Sequence, residues 1–389
     1  MGHLLTAFLS LFFVDPLAYL VFFLLWFTFI YLAVKKKVDW SLYKGEEIFL
    51  PLLALFALGL LCGPWAADKA TWLAYLGKDL HYLLFLAFAV YLFKVNNCQE
   101  RWLKSIMFAT SLLVVYGFYE YFFVRTVTWY RLKSFYGNPN HFGGVLIMTL
   151  PFFFALALDW TKEKKQRILA SLFSLAGIFM LVFTQSRSSW LALLAGLFIT
   201  IFLRNWKIAL VFVLVLGLSF SLVYPVLPGY LKKRMASVVS WHETAGRIDL
   251  WQAGLLMWQE KPLLGVGTGG YTYLLNNYLS TIKGRETKTI LTLPHNIYIY
   301  ILAEHGLVGL SIFIYFLVLL GKKAYRLAKN LKEDNYFLGA GVLASLGALA
   351  VHLLTDQIIT NRAIGMLALF FLALFNHLVD DLKTTREVA

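Results

Sequence analysis

Long apolar runs recur along the whole 389-residue chain, and they constrain the fold more than any other feature of the sequence. Hydrophobic residues make up 60% of the composition and the mean hydropathy is +0.70, whereas soluble domains are nearer to about 45–50% apolar. Because a chain in lipid must satisfy its backbone hydrogen bonds internally, such runs fold as spanning helices. The sequence therefore predicts an all-α polytopic membrane protein.

We predict eleven membrane-spanning helices, from runs long enough to cross about 30 Å of hydrocarbon. They lie near residues 17–34, 48–63, 80–93, 102–124, 142–159, 168–184, 190–203, 208–224, 295–320, 336–354 and 362–379. A further run, Leu4 to Val14, is short and is followed by the helix-breaking Asp15-Pro16. It is either a twelfth span or an interfacial helix, since it lacks the basic start and cleavage site of a signal peptide.

One long polar loop, residues 225–293, separates N-terminal transmembrane helices over 1–224 from C-terminal ones over 294–389. The long loop lies on one side of the predicted membrane. The connections on the opposite side, together with Lys104 and the C-terminal tail, hold 20 of the 35 Lys and Arg residues. The positive-inside rule places those connections in the cytoplasm and the long loop outside. We therefore expect a multi-pass membrane protein whose polar loop faces the exterior.

The loop carries 8 basic residues against 4 acidic ones, a net charge of +4 on the side where positive charge is not expected. This excess indicates an anionic ligand. Cys62 and Cys98 are predicted at opposite membrane faces, and the sequence has neither a metal-ligand spacing nor a nucleotide-binding glycine motif. We expect no metal and no cofactor.

Three polar motifs lie at predicted outer ends of spans, and the first is the turn Thr184-Gln-Ser-Arg-Ser-Ser-Trp190. Ser188 or Ser189 is predicted to cap the helix that follows, which would place Arg187 beside free backbone N–H groups and the positive end of a helix dipole. This arrangement suits an anion. The alternative is an ordinary capped turn whose arginine reaches lipid phosphates.

The second motif lies inside the loop, where Ser240-Trp-His-Glu243 fits a capping box and Lys261-Pro262 ends a helical pattern. The apolar residues of one face are Ile248, Trp251, Leu255 and Trp258. The pattern predicts an amphipathic helix on the membrane surface, which holds Arg247 near lipid headgroups. Four glycines follow this helix, namely Gly265, Gly267, Gly269 and Gly270. Such a stretch permits either a tight turn or the close approach of a ligand, and we expect a simple chain reversal.

The third motif, Pro294-His295-Asn296-Ile-Tyr298, opens the next predicted span. Proline favours the first helical turn, so His295 is expected near a helix N-terminus, where the dipole disfavours imidazolium and leaves a neutral base. The remaining histidines lack this setting. We interpret His81, His305, His352 and His377 as structural or interfacial, His3 as terminal, and His141 and His242 as weaker outer-facing candidates.

Two outer arginines and a base at helix ends suit one reaction class. Arginine forks bind phosphate oxygens bidentately, so two of them can neutralise a pyrophosphate leaving group without a metal. A base beside them would deprotonate an attacking hydroxyl. Because nucleotide sugars are not supplied outside the cytoplasmic membrane, we expect the activated glycan there to be carried on a lipid pyrophosphate.

In this order the motifs resemble the signature of the O-antigen ligase and polymerase superfamily, the WaaL-like and Wzy-like membrane glycosyltransferases. The resemblance covers about residues 180–310. Its segments are Thr184 to Trp190, Gly246-Arg247-Ile-Asp-Leu-Trp251 with Pro262-Leu-Leu-Gly265-Val-Gly267, and His295 to Gly309 with Glu304-His-Gly306. His305 departs from the pattern, where a smaller or uncharged residue is expected, and the loop is compact, so the acceptor is less defined than the donor.

The resemblance implies a GT-C-like helical fold and metal-independent, inverting glycosyl transfer. It implies a bacterial cytoplasmic (inner) membrane protein whose active site faces the periplasm or exterior. It also implies that Arg187 and Arg247 contact undecaprenyl pyrophosphate and that His295 is the catalytic base. Supporting roles are assigned to Lys232, Lys233, Arg234, Asn296 and Tyr298. The loop would then act as a lid that brings Arg247 over a pocket built from helix ends.

The expected function is that of an O-antigen ligase, which transfers a glycan from undecaprenyl pyrophosphate to a sugar hydroxyl of lipid A core. A polysaccharide polymerase is the alternative, because it uses the same donor with a second lipid-linked glycan as acceptor. A transporter is the less favoured alternative, because it would need ionisable residues at mid-bilayer and the predicted spans place few there, with Glu304 as the clearest exception. Membrane lipids are the other expected partners, and nucleic acid is not expected.

Overall fold

The computed structural model describes residues 27–35, 38–96, 98–127, 130–236, 241–283, 293–332 and 336–388, and every regular element in these ranges is helical. Residues 27–34 are helical. The named helices are α1 (Phe49–Leu61), α2 (Lys69–Val95), α3 (Gln99–Tyr119), α4 (Pro139–Leu158), α5 (Lys164–Thr184), α6 (Arg187–Arg204), α7 (Trp206–Val223), α8 (Gly229–Ala236), α9 (Trp241–Glu260), α10 (Gly270–Lys283), α11 (Ile297–Lys329), α12 (Tyr336–Leu353) and α13 (Arg362–Val388).

Nine helices of the described ranges are long and apolar enough to cross a membrane, namely α2 to α7 and α11 to α13. The predicted span at 48–63 corresponds to α1, a shorter apolar helix of 13 residues. The predicted span at 17–34 is described only from residue 27, and the run Leu4 to Val14 lies outside the described residues. The prediction of an all-α polytopic membrane protein is confirmed.

The spanning helices pack in two groups that meet along α12 and α13. In one group α12 packs against α4 and α6, and in the other α13 packs against α2 while α11 packs against α1. Close packing follows from small residues: a side chain at Gly196 would press on Ala344 and Ala348 of α12. The end of the bundle that carries α8, α9 and α10 is called the loop side below.

The loop is mostly helical, and α9 docks on protein through a face that the sequence pattern did not identify. Its buried residues, Leu250, Ala253, Gly254 and Met257, pack with α10 and α11. The predicted face is the more exposed one, since Leu255 is 38% exposed. The helix was expected between Ser240 and Lys261 and is present, but its apolar face is shifted because it packs on protein. Ser240 of the predicted capping box lies outside the described residues.

Helix α11 is broken at Gly306, which has φ 61° and ψ −160°. In an unbroken helix, the N–H groups of residues 307 and 308 would bond the carbonyls of residues 303 and 304. Here the loop segment Pro262–Gly267, which we call the inserted segment, forms hydrogen bonds with all four of these backbone groups. Leu307 N and Val308 N donate to the carbonyls of Pro262 (2.9 Å) and Leu263 (3.2 Å).

In return, the inserted segment donates two hydrogen bonds to α11. The N–H groups of Val266 and Gly267 each lie 2.9 Å from the carbonyl oxygens of Ala303 and Glu304, respectively. The backbone groups freed by the break are therefore satisfied, as burial in a membrane protein requires. The loop is therefore fastened to helix α11 by backbone hydrogen bonds.

Glycine is required on both sides of this contact. A Cβ on Gly265, which has a φ of 69°, would overlap the Glu304 carbonyl, and a Cβ on Gly306 would overlap the Leu263 carbonyl. The sequence favoured a plain chain reversal for the glycine-rich stretch. The structure instead shows a close approach of backbone to backbone.

We expect Gly306→Ala to destabilise the protein, because its backbone conformation is nearly restricted to glycine and the added methyl overlaps the inserted segment. Strained conformations of this kind cost about 1–3 kcal/mol even without an overlap. Gly321→Ala is the matched control, since Gly321 lies on the same helix with nothing within 4 Å of its Cβ position. Thermal unfolding in detergent, followed by tryptophan fluorescence, should give a lower midpoint for the first variant only. Equal midpoints would contradict the insertion.

Candidate active site

His295 lies immediately before α11 and forms a pair with an aspartate from the α12–α13 connection. Its Nδ1 is 2.9 Å from Oδ1 of Asp356, and the two side chains are 23% and 10% exposed. Proline was expected in the first helical turn. The helix instead begins at Ile297 with Asn296 as its N-cap, so Pro294 and His295 both precede it. His295 still adjoins the helix N-terminus.

The backbone of His295 has a φ of 54°, in the left-handed region that non-glycine residues seldom adopt. Its neighbours are held on both sides. Trp251 Nε1 of α9 donates to the Pro294 carbonyl at 2.8 Å, and Gln357 Nε2 donates to the Asn296 carbonyl at 3.2 Å. The Asn296 side chain also accepts the first N–H groups of α11. Tertiary contacts therefore maintain the unusual backbone conformation.

Asp356 is buried and joins two parts of the chain. Its Oδ2 accepts a 2.8 Å hydrogen bond from Asn140 at the start of α4. Asn140 Oδ1 accepts from Arg131 Nη2 at 2.8 Å, and Arg131 Nε donates to the Thr184 carbonyl at 2.9 Å. A continuous network thus leads from His295 to the turn that precedes Arg187.

The charge state of Asp356 follows from these contacts. Burial by itself raises the pKa of this carboxyl group. The hydrogen bond with His295 and the electrostatic interactions with His295, His352 and Arg247 together outweigh this effect, so the pKa ends below its ordinary value. Asp356 is therefore ionised at neutral pH. An ionised carboxylate accepts the Nδ1 proton of His295, which leaves the Nε2 lone pair available as a base.

Arg187 is the first residue of α6, with Ser186 rather than Ser188 or Ser189 as the N-cap. Its turn belongs to the same network. Ser189 Oγ donates to Ser186 Oγ at 2.9 Å and lies 3.1 Å from Nε2 of His352, whose Nδ1 is 3.4 Å from the Asp356 carbonyl. His352, which we interpreted as structural or interfacial, thus connects the Arg187 turn to the Asp356 segment.

Arg247 lies early in α9, half-buried, and its charge contributes to the low pKa of Asp356. This contribution brings Arg247 into the electrostatic environment of the His295–Asp356 pair. Of the supporting residues, Arg234 Nε donates to the Gln185 carbonyl beside the Arg187 turn at 3.0 Å. Asn296 caps α11.

The other proposed supporting residues point elsewhere. Lys232 Nζ donates to the Pro225 carbonyl at 2.6 Å, and Lys233 is exposed on α8. The ring of Tyr298 packs edge-on against Phe313 of the same helix, with 5.8 Å between centroids. These contacts place Lys232 and Tyr298 in structural interactions within their own segments.

A cavity of about 310 Å³ lies between α1, α2, α11 and α13. Ile297 and Thr360, each within a few residues of the pair, contribute to its lining. Its walls are mainly leucine, isoleucine and phenylalanine, whereas Lys78 and Asp79 lie among its polar residues. Lys78 Nζ donates to the Thr360 carbonyl at 2.8 Å. The cavity suits a hydrocarbon chain with a polar end.

Together, the fold and the site define a polytopic membrane protein with a histidine–aspartate pair and two arginine-bearing helices on one side of its helical bundle. Residues 170–314 match the family model described as O-Antigen ligase. The match contains Arg187, Arg247 and His295, and it confirms the resemblance that the three motifs indicated. Asp356 lies outside the matched residues.

A relative from Rickettsia bellii (strain RML369-C), named "Putative polysaccharide ligase", is 25% identical over 263 residues. The alignment covers 65% of this chain and 62% of the relative, so this chain spans about three fifths of the length of the curated relative that it matches.

The lowered pKa of Asp356 gives a prediction for stability. A carboxyl group whose pKa is depressed by folding stabilises the folded state above its unfolded pKa, about 3.9, and this contribution is lost as the pH falls through the folded value. Wild-type protein should therefore unfold at a higher temperature than Asp356→Asn at pH 6–7. The difference should shrink below about pH 4. A difference that stays constant from pH 7 to pH 3 would show that the carboxylate charge is not involved.

Proposed function

We propose that this protein is an O-antigen ligase-type glycosyltransferase, which moves a glycan from undecaprenyl pyrophosphate to a sugar hydroxyl of lipid A core. The observation that carries the proposal is the His295–Asp356 pair, hydrogen-bonded into one network with the Arg187 turn. A base and an anion-binding helix end in one polar network suit transfer from a pyrophosphate donor. Arg247, whose charge acts on the same aspartate, adds the second cation.

In the proposed reaction, Arg187 and Arg247 bind the pyrophosphate oxygens of the donor. The acceptor hydroxyl approaches Nε2 of His295, which takes its proton while the hydroxyl oxygen attacks the anomeric carbon. The bond from that carbon to the pyrophosphate oxygen breaks, and the electron pair leaves with the pyrophosphate, whose charge the arginines stabilise. Attack opposite the leaving group inverts the anomeric configuration. Asp356 holds the imidazole and stabilises the imidazolium that forms.

The cavity supports a lipid donor. Its lining is mainly apolar and includes Ile297, two residues after His295 in the sequence, and we propose that the hydrocarbon chain of the donor occupies it. In the donor, only the pyrophosphate separates the lipid from the transferred sugar. We place the loop side at the exterior of the cytoplasmic membrane, where lipid-linked glycans meet their acceptors.

The ligase and the polymerase share this donor and differ in the acceptor. The family description and the name of the relative both favour the ligase. Purified protein incubated with a lipid-linked glycan and lipid A core should give a core-attached product. Polymer ladders without core attachment would favour the polymerase, and vesicle accumulation of the glycan lipid without any glycosidic bond would favour a transporter.

We expect Arg187→Ala, Arg247→Ala and His295→Ala each to lower glycan transfer strongly. Loss of a charged hydrogen-bond partner costs about 1.5–3 kcal/mol, which is more than tenfold in rate, and loss of a general base costs about 10²- to 10⁴-fold. The arginine variants should also weaken donor binding, whereas His295→Ala should lower kcat and leave donor binding nearly unchanged. The measurement is transfer to lipid A core over a range of donor concentrations.

Arg101→Ala is the control for general loss of positive charge, because Arg101 is exposed on α3, away from the network. It should transfer glycan at the wild-type rate. Near-normal transfer by all three site variants would refute the assignment of the site.

Filling the cavity should weaken donor binding. Leu83 of α2 lines the cavity, whereas Leu80, three residues earlier, is 44% exposed and does not contribute to the lining. We expect Leu83→Trp to raise the KM for the lipid-linked donor several-fold with little change in kcat, and Leu80→Trp to leave both unchanged. The cavity has no part in donor binding if the two variants behave alike.

A further inference from the structure

The indole of Trp251 joins the loop to the backbone of the proposed base. Its Nε1–H donates to the Pro294 carbonyl at 2.8 Å, on the peptide that leads directly into His295. Trp251 is half-buried on α9, adjacent to the buried Leu250. The hydrogen bond therefore crosses from the loop to the start of a spanning helix.

Trp251 binds the peptide group between Pro294 and His295, and the orientation of this group affects where the His295 imidazole lies. His295 has a φ of 54°, and a non-glycine residue keeps such a conformation only where its surroundings impose it. On the far side of His295, Asn296 is held by Gln357 and by its own bond to the Leu354 carbonyl (3.3 Å). On the near side, the Trp251 indole donates to the Pro294 carbonyl.

Trp251 also shares its helix with Arg247, four residues earlier, so the two side chains lie on one face of α9. Beyond them, the C-terminal end of α9 leads into the inserted segment, whose backbone bonds fix it to α11. One docked helix therefore carries both a cation of the proposed anion site and the contact that holds the backbone of the base. Their relative position is set by the rigidity of a single helix.

We propose that Trp251 is a positioning residue, whose indole N–H orients His295 through the Pro294 carbonyl and thereby couples the docking of the loop to the alignment of the base. The proposal rests on the proposed function for its effect on the rate. Its structural part, the control of the residue 293–300 segment by the indole, can be measured without turnover.

Trp258→Phe is the matched control for Trp251→Phe. Trp258 lies on the same helix and its indole also donates to a proline carbonyl, that of Pro262 at 3.2 Å, but this contact remains within the loop. Both substitutions keep an aromatic ring and remove one N–H donor. Only Trp251→Phe should affect His295.

We expect Trp251→Phe to lower kcat about tenfold, as loss of one hydrogen bond that orients a catalytic group would do, and to keep the KM for the lipid-linked donor within about twofold. In a His295→Ala background, Trp251→Phe should cause no further loss of the residual rate, because the residue acts through the imidazole. Trp258→Phe should keep the wild-type kcat.

Hydrogen exchange provides the readout that does not depend on catalysis. The peptide covering residues 293–300 contains the capped N–H groups of Tyr298 and Ile299, and it should exchange faster in Trp251→Phe than in wild type or Trp258→Phe. An unchanged unfolding midpoint would show that the effect is local.

The outcomes separate the two proposals. Unchanged exchange, an unchanged kcat, or an equal proportional loss in the His295→Ala background would each overturn the positioning role. If wild-type protein transfers no glycan at all, the proposed function fails, and the exchange experiment alone decides whether Trp251 controls the segment.

Discussion

The loop side of the structure depends on an exchange of backbone hydrogen bonds between a broken membrane helix and the inserted segment. At Gly306, α11 loses the bonds that its own residues would have made, and Pro262–Gly267 replaces them group for group. Neither partner could be buried alone, because unpaired backbone groups in a membrane protein cost several kcal/mol each. The break in α11 and the fold of the loop therefore require each other, and glycine at residues 265 and 306 permits the contact.

This attachment changes the role of the loop. A lid that swings over a pocket needs hinges at both ends, whereas the end of α9 is tied to α11 by backbone bonds and its buried face packs on α10 and α11. The helix instead serves as a fixed support. It extends about 1.5 Å per residue from the inserted segment back to Trp251 and Arg247, and so places both at the start of α11.

The sequence predicted the parts of this molecule that depend on local patterns. Hydropathy located the spans, and the positions of Arg187, Arg247 and His295 followed from helix-end motifs and a resemblance. It could not predict Asp356, because a single aspartate between two spans has no local signature and its partner lies 61 residues away. The prediction of the apolar face of α9 was wrong for a related reason. The tryptophans suggested a membrane-facing stripe, but alanine and glycine on another face allow closer packing on protein.

Asp356 explains why histidine can serve in a site rich in arginine. The proposed base at His295 shares its surroundings with Arg247, whose positive charge also acts on Asp356. A buried carboxylate whose own pKa is depressed remains charged and offsets the imidazolium as it forms. The hydrogen bond from Asn140 satisfies the second carboxylate oxygen, which lowers the cost of keeping the charge buried. One aspartate, held from α4 by Asn140, therefore connects the proposed base at His295 with the turn that precedes Arg187.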